Sequence, residues 1–292
     1  MKFNIILFVS VLLLSGCSEI VFPLNEPALA VEGWIEDDGH PIVIVTSSVT
    51  VSQEYQDWDT LRDHMIRWAR VTVSDGEQSV VLTGKYSNKH FPPYIYTTAR
   101  LRGEAGKTYS LMVEYENYVE TAVTTIPQPI PFEYIKVVSK DDGYGIVAGF
   151  KDNAQTKDYY RMFTMVEKVD STYKPSFMGL VDDAVLTDGV SELSVYSAFV
   201  SDFGAVQRSP MSFLENDVVR LRFSTMEEVI FDYWTDYDDV TSLSSNPFFP
   251  VNKKIRSNVS SGMGYWAGYG STYHKVSIAD SIALGRVWPA AD

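Results

Sequence analysis

Apolar residues recur mostly at every second position along this chain, in short runs broken by turn residues. Residues 28–35 read as a strand, and Glu36-Asp37-Asp38-Gly39 as the turn that ends it. Residues 42–45 are a β-branched run suited to a strand buried on both faces. Val71 and Val73 alternate with Thr72 and Ser74, and Asp75-Gly76 signals a hairpin into residues 80–83. Tyr109, Leu111, Val113 and Tyr115 alternate with polar or amphipathic neighbours, and Glu116-Asn117 turns the chain into residues 118–125. Short strands with turns at this spacing predict a β-sandwich over residues 28–126.

Alternating prolines at 127–131 cannot enter a sheet interior and favour a stiff, extended connector, so a domain boundary is placed there. Residues 132–292 then predict a second β-rich domain, with strands at 132–138, 159–169 and 218–223. In the last of these, Arg220 and Arg222 alternate with apolar residues, as on a half-exposed strand. One amphipathic helix is predicted near 225–239. Met226, Val229, Ile230, Tyr233, Trp234 and Tyr237 recur at helical spacing and form one apolar face. Two overlapping capping-box patterns, beginning at Ser224 and Thr225, mark its start. The fold class is therefore mainly β with a single clear helix.

The N-terminus follows a different pattern. Lys2 precedes a run at residues 3–14 in which Asn4 and Ser10 are the polar interruptions, too short for a bilayer span of about 20 residues. It fits a secretory signal peptide over residues 1–16. Leu14-Ser15-Gly16-Cys17 resembles a bacterial lipobox. Small residues suit the peptidase, and the thiol is the nucleophile that takes the diacylglycerol. Cys17, the chain's one cysteine, is thus the expected lipidation site, with residues 17–27 as a lipidated tether.

Charge and composition narrow the function classes. The 292 residues carry a formal net charge of −14, and removing residues 1–16 deletes Lys2 and no acid. Such a surface argues against nucleic acid and against a basic lipid-headgroup patch. A lone cysteine excludes an internal disulfide and a multi-cysteine zinc site. His40, His64, His90 and His274 lack metal-pair spacing, and the acidic pairs lack that of a calcium loop, so no metal or cofactor is expected. Among the acidic groups, Asp236, Asp238 and Asp239, placed at the helix C-terminus, come nearest to a cation site. Gly103–Thr108 fails the phosphate-loop pattern, because position 101 is leucine and a strand follows.

The remaining signal is aromatic. Tyr265, Trp266 and Tyr269 lie in a glycine-flanked run, readable as a contact surface or as packing in which Trp266 covers Tyr233 and Trp234. Trp58 and Trp68 flank the long irregular segment 52–69, a candidate interaction loop. These five aromatics are the candidate ligand- or partner-binding residues. No catalytic residue is assigned.

Several stretches together resemble a family of Bacteroidetes envelope lipoproteins known as a domain of unknown function, DUF4249. They are Val31-Glu32-Gly33-Trp34-Ile35, the hairpin from Ala69 to Gly76, Gly106-Lys107-Thr108-Tyr109-Ser110-Leu111, and Asp158-Tyr159-Tyr160-Arg161. Asp217-Val218-Val219-Arg220-Leu221, the helix with Tyr233-Trp234, and Gly264-Tyr265-Trp266-Ala267-Gly268-Tyr269 continue the series. Met263 splits two glycines that the family often has together. The resemblance implies an Ig-like first domain, no assigned catalytic residues, and a gene commonly beside a TonB-dependent outer-membrane receptor. The expected function is a non-enzymatic accessory or binding lipoprotein of a TonB-dependent nutrient uptake system. It would sit on the outer membrane, at the cell surface more than the periplasmic face, held by Cys17 and partnered with that receptor. A surface adhesin that binds glycan or protein is the alternative, and a cryptic hydrolase stands third.

Overall fold

A computed structural model describes residues 29–47, 64–153, 155–186, 189–198, 212–243, 254–260, 263–284 and 287–289. Cys17, the tether, Trp58 and most of segment 52–69 lie outside the described residues. The fold is mainly β. In chain order the strands are β1 (Leu29–Glu36), β2 (Ile42–Ser47), β3 (Arg70–Ser74), β4 (Ser79–Val81), β5 (Thr83–Tyr86), β6 (Tyr94–Thr97), β7 (Thr108–Tyr115) and β8 (Tyr118–Thr125). They continue with β9 (Phe132–Lys140), β10 (Gly143–Lys151), β11 (Tyr159–Val166), β12 (Lys174–Asp182), β13 (Val190–Val195) and β14 (Val218–Met226). Helix α1 (Glu228–Leu243), β15 (Met263–Ser277), α2 (Ile278–Leu284) and β16 (Val287–Pro289) complete the order.

The central element is an eight-stranded sheet ordered β12-β11-β14-β15-β1-β2-β6-β5. Its middle is a parallel pairing of β1 with β15, Gly33 opposite Trp266. Strands from both sides of the proline-rich segment 127–131 therefore share one sheet. Two four-stranded sheets, β4-β3-β7-β8 and β13-β10-β9-β16, draw their strands from before and after that segment respectively.

Strand periodicity explains how the layers stack. On one face of the central sheet, Val31, Ile35, Val43, Val45 and Trp266 pack against Val71, Val73, Tyr109, Leu111 and Val113 of the first outer sheet. On the same face, Tyr160, Met162, Leu221, Phe223 and Val276 pack against Ile135, Ile146, Ala148 and Phe150 of the second. The opposite face presents Phe163, Tyr265, Ala267 and Tyr269 to Ile230 and Trp234 of α1. Each outer sheet buries one half of the covered face, and α1 covers only part of the other.

Residues 125–129 cross close over β15. A Cβ on Gly268 would stand 2.5 Å from the Thr125 carbonyl oxygen, and one on Gly270 would meet the Pro127 oxygen. Glycine at these two positions is the condition for that crossing.

The helix departs from the capping-box expectation. Ser224 and Thr225 continue the β14 ladder opposite Ser271 and Gly270, and α1 begins at Glu228. The Glu227 carbonyl accepts the first helical bonds, from Ile230 N–H (3.0 Å) and Phe231 N–H (3.1 Å). The Glu227 side chain instead accepts from Thr124 Oγ1 (2.7 Å) and Thr125 N–H (2.9 Å) of β8. Val229, placed on the apolar face by periodicity, is exposed, whereas Ile230 is fully buried.

Candidate functional site

The uncovered part of the central sheet's second face is the floor of a cavity of about 1200 Å³. Alternation sets what lines it. Glu32, Trp34 and Glu36 come from β1, Ile42 and Ile44 from β2, and Tyr265, Tyr269 and Tyr273 from β15. Arg222 comes from β14, and Arg161 and Phe163 from β11. Trp234, Tyr237, Asp238 and Asp239 of α1 form one wall, residues 171–178 another, and Tyr86 with the turn at 88–93 the rim. Residues 42–45 thus bury one face in the core, while Ile42 and Ile44 floor the cavity.

Two buried arginines organise the polar part. Arg222, expected on a half-exposed strand, is 8% exposed. It bonds Glu36, whose other carboxylate oxygen accepts from the Tyr273 hydroxyl. The Arg222 guanidinium carbon lies 3.8 Å from the Phe163 ring centroid and 5.5 Å from those of Tyr173 and Tyr269, a cation–π box that offsets part of the desolvation cost. Burial opposes the Arg222 charge, and Glu36 with the surrounding tyrosines outweighs it, so its pKa moves up. Arg161, 1% exposed, binds Asp238 through two bonds of 3.0 and 2.8 Å and stands 4.4 Å from the Trp234 ring. Bidentate pairing of this kind fixes both partners.

Glu32 differs from these. Solvent reaches it through the cavity, yet protein surrounds it, and burial raises its pKa against the lowering effect of a 3.0 Å bond from Tyr265 Oη. Burial, then the Glu32 charge, lifts the Tyr265 pKa well above normal. Tyr269 is pushed up to about 12, mainly by burial, and donates nothing to Trp234, whose indole N–H bonds its hydroxyl oxygen at 2.9 Å. Burial and then Glu36 raise Tyr273. These phenols stay neutral at physiological pH. His90, 5.9 Å from Trp34 ring to ring, has its pKa lowered by burial and then by Lys89 and Lys85.

The aromatics singled out in the sequence separate here. Tyr265 and Tyr269 line the cavity and pack on α1, Tyr265 lying 4.6 Å from Tyr233 and 5.6 Å from Trp234. Trp266, one residue out of phase, points to the opposite face. It is buried in the first core and donates its indole N–H to the Tyr109 carbonyl at 3.0 Å. The expected cover of Tyr233 and Trp234 by Trp266 is thus supplied by Tyr265 and Tyr269. Trp68 is 88% exposed and outside the cavity lining. Trp58 lies outside the described residues.

The acidic cluster of α1 is not a solvated helix end either, since α1 runs on to Leu243. Asp236 is buried and receives the Arg256 Nε and Nη2 at 2.6 and 3.0 Å, and Asp238 pairs with Arg161. Among the described residues no three His, Cys, Asp or Glu side chains form a metal-holding group. The lining carries four acids, Glu32, Glu36, Asp238 and Asp239, and four bases, Lys89, Arg161, Lys174 and Arg222; Arg222 pairs with Glu36, Arg161 with Asp238, and Lys174 with Asp170 outside the lining. Sequence reasoning passed over Glu32, Trp34, Glu36, Arg161 and Arg222. The available signal was their period of two within strands whose alternate residues are apolar.

Fold and site together define a β-sheet protein with an aromatic, charge-paired cavity on the sheet face shared by its two halves. The chain belongs to the family described as Domain of unknown function (DUF4249), whose profile matches residues 18–274. No curated protein matches it significantly. No helix among the described residues is long and apolar enough to cross a membrane.

Proposed function

We propose that this protein is a lipid-anchored binding component of a TonB-dependent nutrient uptake system, and that the cavity holds its ligand. The observation that carries the reading is the cavity itself. A space this large, walled by aromatics with a few placed polar groups, is the form that ligand sites take. In this reading Cys17 carries the lipid anchor, the protein sits on the outer membrane at the cell surface, and its partner is the TonB-dependent receptor. The first half serves as an Ig-like module in this reading.

Absence of chemistry is part of the proposal. Glu36 is held by Arg222 and Tyr273, and Asp238 by Arg161, so neither moves freely to a reacting atom.

Gentle solubilisation of native membranes, capture of the tagged lipoprotein and identification of its companions test the assembly. Recovery of a TonB-dependent receptor is the expected result, and repeated recovery of the lipoprotein alone overturns it.

A further inference from the structure

We infer that the cavity's ligand is a neutral oligosaccharide of several sugar rings. The inference rests on the cavity being a binding site and adds the chemical class of what it binds.

Charge argues first. Both buried guanidiniums are already matched, Arg222 by Glu36 and Arg161 by Asp238. An anionic ligand seated on either guanidinium in place of its carboxylate would break a pair, and a cationic one seated on Glu36 or Asp238 would displace an arginine. Each exchange leaves a buried charge without its partner. A neutral ligand disturbs neither pair.

The lining argues second. A purely apolar ligand would cover the accessible carboxylates of Glu32 and Asp238 without bonding them, at the cost of their hydration. A sugar ring is amphipathic. Its C–H face stacks on aromatic rings, and its hydroxyls donate to carboxylates. Both surfaces are present: Tyr86 and Phe91 are 59% and 46% exposed at the rim, and Tyr273 is 50% exposed on the floor. Glu32 uses one oxygen for Tyr265 and leaves the other as an acceptor.

Backbone geometry argues third. β14, β15, β1 and β2 lie inside the sheet, each hydrogen-bonded on both sides. An extended peptide finds no strand edge on the floor to pair with; the sheet's edge strands, β12 and β5, reach the cavity only at its wall and rim. The volume of about 1200 Å³ exceeds the roughly 300–1,000 Å³ of a drug-sized site, which favours a chain of rings over a single one.

The full-length lipoprotein, in a detergent without a sugar headgroup, is titrated with four neutral pentasaccharides: cello-, malto-, xylo- and chitopentaose. An oligogalacturonate, an oligolysine and a glycine–alanine peptide are titrated alongside. Binding is read by calorimetry and by emission of the cavity tryptophans. The expected result is binding of at least one neutral pentasaccharide, weakened tenfold or more by Tyr86→Ala, Phe91→Ala and Glu32→Ala and unchanged by Val123→Ala on the exposed face of β8. Recovery of the pentasaccharide at its original length is expected as well. Cavity-dependent binding of the charged or peptide probes, with none of the neutral sugars, overturns the ligand class and leaves the cavity as a site. Neutral binding that ignores the cavity variants overturns the inference, and a shortened pentasaccharide overturns the non-enzymatic reading while supporting the class. Receptor co-purification is scored separately, so neither result stands in for the other.

Discussion

Glu227 sits between β14 and α1, yet its carboxylate serves β8, across more than a hundred residues of sequence. Its Oε2 takes Thr124 Oγ1–H and Thr125 N–H, and Thr124 Oγ1 in turn accepts the Gly268 N–H at 2.7 Å. One carboxylate therefore ties the end of β8 to β15. Glu227→Ala should cost about 1–3 kcal/mol in urea unfolding, the range for leaving buried donors unpaired. A change within experimental error would show that water replaces the carboxylate. Glu32 gives a residue-scale prediction in pH. Its pKa is higher folded than unfolded, so the stability it contributes is complete below the ordinary carboxylate value. That contribution is lost as pH rises through the higher folded value. Glu32→Gln keeps an acceptor for Tyr265 and removes the titration. It should raise stability at neutral pH and flatten the profile above the ordinary carboxylate range. Parallel profiles for the two proteins would contradict this.

At the scale of elements, the helix and most strands were legible, and their faces only in part. Helical spacing located α1, because Ile230, Tyr233, Trp234 and Tyr237 recur too regularly for a strand. Its start was misplaced because Ser224 and Thr225 look like caps, whereas β15 offers them a ladder, and paired backbone outweighs a local cap. The tail aromatics misled for a similar reason. Glycine on both sides made Tyr265, Trp266 and Tyr269 look like one cluster, and only the strand period separates them onto two faces. Ile230→Ala should loosen α1 from the sheet at about 2–5 kcal/mol, while Val229→Ala, on the exposed face, should stay within about 0.5 kcal/mol. Equal effects in thermal or urea melts would contradict this assignment of the helix faces.

Over the whole molecule, the decisive contacts join distant segments. Glu36 and Arg222 are 186 positions apart, and the parallel β1–β15 pairing links the first described strand to the last long one. No local pattern announces such partners, so the strands of the first outer sheet were readable as part of a sandwich and the second half only as β-rich, while the second outer sheet, the central sheet and the cavity on it were not. The anchor lies at the other extreme, since a lipobox is read from four consecutive residues. Cys17→Ala should release a folded protein from washed membranes, because residues 17–27 read as a tether and the described fold begins at Leu29. Retention of the variant on the membrane would contradict lipid anchoring at that residue. On the face of the shared sheet, the cavity is proposed to hold a ligand. Native mass spectrometry of the protein taken from its own membranes tests it directly, comparing wild type with Ile42→Trp, which fills the floor, and Val123→Trp, which adds the same bulk outside. A bound mass present in wild type and Val123→Trp and absent from Ile42→Trp is the predicted result; the same bound mass in all three, or in none, would contradict it.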